Sequence, residues 1–362
     1  MPAPLPADAE PSRSHSAASM RAFIARALTA VGLCEPDAEN VAELMVEADV
    51  TGADAHGIFR LPQYVSRIKA GGINVQPDIQ VTRTAAATAL VDGDNGMGHL
   101  VMRRAAHTAI ELARESGIGW VGTRFSNHAG PAAIYASMPV EHGMIGVYSA
   151  VASANHMAIW GGTDLLLGTN PLAIGVPGGP SGPIILDMAT TVVSYGTIKK
   201  HALLGKPLPE GWMVSRTTGE PITDPAQSSE GILLPIGGYK GSGLALMLSF
   251  LAGTLNGASI GKDVVDFNAD NRTVTNTGQC ILAIDISRFI PLETFENEVS
   301  RHVADLKSGD TLPGFGTIRL PGEQRAERRS KRQAEGVTIP TALLTKLDLL
   351  ADELGISSLG AI

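Results

Sequence analysis

Apolar residues recur along the first part of the chain at helical spacing. Met20, Phe23, Ile24, Ala27, Leu28 and Val31 share one side of a helix over residues 19–32. Val41, Leu44, Met45 and Ala48, at intervals of three and four, predict a second helix. Pro62 fits only a first turn, so a third helix starts near Leu61 and stops by Gly71 and Gly72. The stretch Thr51-Gly-Ala-Asp-Ala-His-Gly-Ile-Phe-Arg60 therefore links two helices, its polar side chains able to point into a cleft. From about Pro77 the pattern changes to short apolar runs, read as strands at 89–92, 119–123, 144–148, 172–176, 184–187 and 280–284. Helical stretches lie among them at 100–115, 191–201 and 241–255, and a last one covers 340–354. Some runs are separated by helices. Others, such as 172–176 and 184–187, are joined by a short Pro/Gly turn that favours antiparallel pairing. The predicted fold is α/β in the α+β sense: a mainly antiparallel or mixed sheet flanked by helices, with an α-helical N-terminal subdomain.

The expected organisation has four parts. Residues 1–18 read as a flexible extension, rich in Pro, Ala and Ser and lacking the apolar core of a signal peptide. An α-helical subdomain covers 19–76, with the 340–354 helix packing back on it; the main domain covers 77–323 and a C-terminal segment 324–362.

Composition narrows the function classes. Only 18% of the 362 residues are charged and the net charge is −8, which gives no broad attraction for nucleic acid. No apolar run approaches the roughly 18 to 20 residues of a membrane helix. Two cysteines, Cys34 and Cys280, exclude a disulfide scaffold and a multi-cysteine zinc site. They read as buried small apolar side chains in a reducing cytoplasm, and no metal is expected.

One Gly-x-Gly-x-x-Gly match exists, Gly117-Ile-Gly-Trp-Val-Gly122, but its setting is wrong for a dinucleotide fingerprint. Such a motif follows a strand and opens a helix, whereas here a helix ends and a strand begins. The glycines fit a helix C-cap and a tight turn. The P-loop, His-Glu-x-x-His and Gly-x-Ser-x-Gly signatures are absent. Five other stretches are polar, glycine-rich and flanked by apolar runs. They are Asp54-Ala-His-Gly-Ile-Phe-Arg60, Ser126-Asn-His-Ala-Gly130, Gly168-Thr-Asn-Pro171, Asp187-Met-Ala-Thr-Thr191 and Gly237-Gly-Tyr-Lys-Gly-Ser-Gly243. Singly, each is explained by a capped turn. Together they supply two histidines, an arginine, a lysine and several open glycine turns, which is the inventory for gripping an anion and moving a proton.

Taken in order with Leu320-Pro-Gly-Glu323, these stretches resemble the motifs of the malate/L-lactate dehydrogenase-2-like family of NAD(P)-dependent oxidoreductases, which does not use a Rossmann fold. The resemblance runs from Gly52 to Glu323. It implies a nicotinamide-binding main domain with a mainly antiparallel sheet, and a homodimer whose active site lies near the subunit interface. It also implies substrates with a carboxylate beside a carbinol, carbonyl or imine carbon; members act on malate, lactate, sulfolactate, ureidoglycolate and diketogulonate, and some reduce cyclic imines. By position, the matching cofactor contacts are Ser153, Asp187, Met188, Ala189, Thr190, Thr191, Tyr239, Lys240, Gly322 and Glu323. Arg60 matches the holder of the substrate carboxylate, with Asn127 and Thr169 beside it. His56 and His128 are the acid/base candidates, with His56 preferred. The chain departs from the pattern at Ala55, where relatives have serine, at Ala129, where they have an aromatic residue, and in 149–155, which lacks the usual Asn-Ser/Thr pair.

The remaining histidines read as structural or solvated. His15 falls in the extension, His99, His107, His201 and His302 fall at helical positions, and His142 and His156 are near the site at most. The basic stretch 325–332 reads as a solvated helix face. The expected activity is interconversion of a 2-oxo acid and a 2-hydroxy acid by hydride transfer, with NAD or NADP as cofactor and a histidine as acid/base. The alternative enzyme is a reductase of a cyclic 2-imino acid of the piperideine-2-carboxylate type. The alternative of another class is a non-catalytic ligand-binding protein on this fold. Expected partners are a small anionic carboxylate and a second copy of the chain.

Overall fold

The computed structural model describes residues 12–362, so positions 1–11 of the expected extension lie outside the described residues. Ser12–His15, the next part of that extension, form strand β1. Ser16 then caps helix α1 (Ala17–Ala30), its hydroxyl accepting the Ser19 N–H at 3.0 Å. Helices α2 (Glu35–Val50) and α3 (Leu61–Lys69) follow where periodicity places them. The stripe residues Met20, Phe23, Ile24, Val41, Met45 and Ala48 are all fully buried. These elements belong to one of two units, made of the described residues up to Lys69 together with Gln324–Ile362.

The other unit, Ala70–Glu323, carries the main sheet. In chain order it contains β2 (Gln80–Ala85), β3 (Thr88–Asp92), α4 (Gly98–Ser116), β4 (Ile118–Ser126), α5 (Ala132–Val140), β5 (Met144–Ala150), β6 (Leu172–Val176) and β7 (Ile184–Met188). Then come α6 (Tyr195–Leu203), the short pair β8 (Met213–Ser215) and β9 (Gly231–Leu233), α7 (Tyr239–Ala252), β10 (Thr277–Asp285) and α8 (Leu292–Lys307). Among the described residues the main sheet has seven strands in the order β2-β3-β4-β10-β5-β6-β7. Only β3 and β4 run parallel; every other neighbouring pair is antiparallel. The chain returns to the first unit through α9 (Glu323–Glu335), β11 (Val337–Pro340), which pairs antiparallel with β1, and α10 (Thr341–Leu354). Helix α10 packs against α1 and α3.

The six predicted strands are all present, each within a longer strand or matching it. Gly117 sits at φ 83° as the C-cap of α4, its N–H bonded to the Ala113 carbonyl. That is the capping role its setting implied. The helix expected over 191–201 starts at Tyr195, because Thr191 bridges to Pro235 and Ser194 caps the first turn. Cys280 is buried, and burial pushes its thiol up to about 12; Cys34 corrects the expectation, standing exposed at the N-cap of α2.

Candidate active site

In the first unit the segment after α2 folds into two single turns, Asp54–His56 and Ile58–Arg60, on either side of Gly57. Asp49, in the last turn of α2 and only 2% exposed, organises it. Its Oδ2 accepts the Ile58 N–H at 2.8 Å. A Cβ on Gly57 would fall 2.0 Å from Asp49 Oδ1, so only glycine lets the backbone approach. Burial holds the Asp49 carboxyl well above the usual carboxylate range; the Ile58 N–H and Arg332 work against that shift. Arg332 of α9 also donates to the Asp49 carbonyl and pairs with Asp54. Asp54 is therefore engaged by Arg332, and Arg60 is held instead by the Ala55 carbonyl, 2.9 Å from its Nε. His56 is the last residue of the first turn. Burial first, then the positive charges of Arg60 and Arg325, push its pKa down to about 3. The imidazole is accordingly neutral at ordinary pH, the form that accepts a proton.

In the second unit the loops after β4, β5 and β7 meet the loop before α7. Thr190 donates its N–H and hydroxyl to the Thr169 carbonyl at 2.9 and 3.1 Å, and the Ile236 N–H reaches the Thr190 carbonyl at 2.9 Å. The carboxamide of Asn170 ties the Ala152 N–H to the Ala245 carbonyl and the Ser249 hydroxyl on α7. Ser153, Thr169, Thr190 and Thr191 thus belong to one bonded cluster. His128 joins it through Phe267, whose ring stacks on the imidazole at 5.3 Å and whose N–H bonds the Ser153 carbonyl at 2.9 Å. The Gly130 N–H donates to His128 Nδ1 at 3.4 Å, which leaves Nε2 as the proton-bearing nitrogen of the neutral ring. Phe267 was not legible in sequence, since a single aromatic in a polar loop has no periodicity.

Several side chains named for ligand contact are occupied by the fold. Asn127 is fully buried, its amide donating to Asn95 and Gly96 and its oxygen accepting from Thr275. The Thr191 hydroxyl bonds the Val193 carbonyl, and Asp187 accepts the Ala133 N–H at the start of α5. Met188 pairs with Leu172 at the end of β7, and Ala189 follows it half-buried. Gly322 packs on the backbone of Ile185 in β7. Glu323 binds Lys307 at 2.5 Å, and that contact lowers its pKa. Tyr239 and Lys240, by contrast, are exposed on the first turn of α7, after Gly237 and Gly238 with φ of 57° and 66°. The N-cap Gly238 has no side chain to accept from the first-turn amides. The Gly241 N–H of that turn is taken by the Ile236 carbonyl at 2.9 Å, so it is the exposed Lys240 that this turn offers to a phosphate.

The main sheet is mainly antiparallel, so the chain is not built on a Rossmann fold. The chain belongs to the malate/L-lactate dehydrogenase family, whose model matches residues 15–348. It is 38% identical over 344 residues to a malate dehydrogenase of Pyrococcus horikoshii, covering 93% of this chain and 94% of that one. It is 36% identical over 335 residues to an L-sulfolactate dehydrogenase of Methanothermobacter thermautotrophicus, covering 92% and 95%. The solved structure of the Pyrococcus horikoshii enzyme matches with a TM-score of 0.88 at 35% identity, over 96% of this chain and 97% of that one. A Δ1-piperideine-2-carboxylate reductase of Pseudomonas syringae matches with a TM-score of 0.81 at 29% identity, over 94% and 100%. Among the described residues no helix is long and apolar enough to cross a membrane.

Proposed function

We propose that the protein interconverts a 2-oxo acid and its 2-hydroxy acid with NAD or NADP, His56 serving as acid in reduction and base in oxidation. The observation that carries this reading is the pair His56 and Arg60: a buried imidazole kept neutral chiefly by burial, with a guanidinium four residues away whose charge adds to the effect. The guanidinium holds the substrate carboxylate through two parallel hydrogen bonds and so orients the reacting carbon. A bound nicotinamide dinucleotide supplies or takes up the hydride. Lys240 would hold its phosphates, with Ser153, Met188, Ala189 and Tyr239 beside it. Neutral His56 is ready to take the hydroxyl proton in oxidation. In reduction, an anionic substrate offsets the neighbouring positive charge, raises the pKa of His56 and lets it carry the proton that the new oxyanion needs. His128 makes a second polar contact through Nε2. Asn127, with all its polar groups in use, shapes the loop that carries His128.

We further propose a cytoplasmic homodimer. Helix α7 supports it, since it leaves Met247, Phe250, Leu251 and the following Leu255 exposed as an apolar stripe. Likeness to the Pseudomonas syringae reductase favours one second reading, reduction of a cyclic 2-imino acid, in which the same arginine holds the 2-carboxylate. The test of the acid/base assignment compares His56→Ala with His128→Ala, with turnover and cofactor affinity measured separately. His56→Ala is expected to lose about a hundredfold to ten-thousandfold in turnover with cofactor affinity retained, and His128→Ala to lose less. The reverse order would transfer the role to His128, and normal turnover in both would sink the mechanism.

A further inference from the structure

His128 lies in a loop whose backbone is clamped by its neighbours. Gly98, at the start of α4, lets that helix come close: a Cβ there would fall 2.0 Å from the Asn127 carbonyl oxygen and 2.7 Å from the His128 one. Gln279 of β10 donates its side-chain amide to the Asn127 carbonyl at 2.9 Å. The imidazole still has two side-chain torsions to settle. The Gly130 N–H reaches its Nδ1 at 3.4 Å, longer than the roughly 2.7 to 3.2 Å of an ordinary N–H bond and too weak to fix the ring alone. Phe267 supplies a flat surface for it. The two rings stack at 5.3 Å and 28°, and Phe267 is only 1% exposed. Phe267 is held in turn. The Asp266 carbonyl accepts the Ala269 and Asp270 N–H groups at 3.0 and 2.9 Å, and the Asp266 carboxylate accepts the Asn268 N–H at 2.8 Å. Lys199 of α6 donates to the Asn268 side-chain oxygen at 3.0 Å. The Phe267 N–H bonds the Ser153 carbonyl at 2.9 Å. That bond belongs to the backbone and does not depend on the side chain.

We propose that Phe267 is a positioning residue: its ring fixes the plane of the His128 imidazole, so that the Nε2–H is already aimed when the 2-oxo acid arrives. The inference rests on the contact proposed between His128 and the substrate. Orientation set before binding spares the substrate the cost of ordering that side chain. An aromatic face suits the task, because it blocks rotation of the imidazole without competing for either ring nitrogen. Side chain and backbone then serve different halves of the site. Removing the ring acts on the oxo acid, and the backbone bond to the candidate cofactor loop stays in place.

The experiment compares wild type, Phe267→Leu, His128→Ala and the doubly substituted protein, measuring kcat and KM for oxaloacetate and pyruvate and the affinity for NADH and NADPH. Phe267→Leu keeps apolar bulk and loses the stack. It should lower kcat/KM by about two- to tenfold, the worth of one aromatic pair, with affinity for the reduced cofactor held within about twofold. In the His128→Ala background the same replacement should cost nothing further, since a ring that acts through His128 has nothing left to act on. A residue that only supports the fold would cost the same in both backgrounds. Magnetic resonance of histidine-labelled wild type gives a second reading that needs neither turnover nor a Phe267 variant. The carbon-bound ring protons of His128, assigned by their absence from His128→Ala, should be displaced by the Phe267 ring current from the positions of exposed histidines. Equal losses in both backgrounds, or His128 protons at the positions of exposed histidines, would overturn the assignment of Phe267 while leaving the reaction reading intact. A wild type that turns over no 2-oxo acid, with the His128 protons displaced, would overturn the reaction reading and the positioning role with it, although the ring contact stands.

Discussion

Lys240 reaches solvent from the first turn of α7 and has no role in the apolar core. A compact, exposed ammonium at a helix start suits the phosphate contact proposed for it. Lys240→Ala should therefore raise the KM for the reduced cofactor by about tenfold or more, with kcat little changed and the melting temperature retained. Fluorescence titration with NADH and NADPH checks it; unchanged affinity removes Lys240 from the site. Residues of this kind were legible in sequence because each stands in a glycine-rich turn at a fixed distance from others, as His56 does from Arg60. What could not be read was occupancy. Asn127 looks like a ligand contact until its buried amide is followed to Asn95, Gly96 and Thr275. Arg332 looks like one charge in a solvated run until it is followed to Asp54 and the Asp49 carbonyl. Contacts that join the far ends of a chain leave no trace in local spacing.

At the scale of elements, α7 combines two faces with different tasks. Ala245, Leu248, Ser249 and Ala252 are buried, and Ser249 bonds Asn170, which ties the helix to the loops of the candidate cofactor site. Met247, Phe250 and Leu251 face outward. An apolar stripe of this size on a helix is the usual mark of an interface. Replacing Met247 and Phe250 together by glutamate should convert a dimer to a monomer in light scattering at micromolar concentration. A wild type that is already monomeric would overturn the dimer, and a doubly substituted protein that stays dimeric would place the contact elsewhere. Periodicity exposed α1 and α2 through the apolar side chains they bury, and Pro62 with the glycines at 71 and 72 marked the bounds of α3. It did not expose α5, which is apolar nearly all round and contains Pro139, so neither a stripe nor a helix-forming run marks it. The strands of the main sheet showed as apolar runs where both faces are covered. Edge strand β2, exposed along most of its length, reads as ordinary polar chain.

At the scale of the whole molecule, fold and chemistry point the same way. Every neighbouring pair of the main sheet but one is antiparallel, which removes the strand-turn-helix crevice in which a Rossmann protein holds its dinucleotide. The reading proposed above has loops grip the cofactor instead, with the polar turns around Thr169, Thr190 and Lys240 as its candidates. Such a molecule should be selective for the carboxylate rather than for the carbonyl alone, because the contact proposed for Arg60 would supply orientation that a simple ketone cannot use. The most direct test follows the loss of reduced nicotinamide absorbance with NADH and with NADPH, offering matched pairs of 2-oxo acids and the corresponding ketones or aldehydes without the carboxylate. Turnover of at least one 2-oxo acid, with its decarboxylated counterpart slower by a hundredfold or more, is the predicted result. Binding of the reduced cofactor without turnover of any 2-oxo or cyclic 2-imino acid, or equal rates with and without the carboxylate, would contradict it.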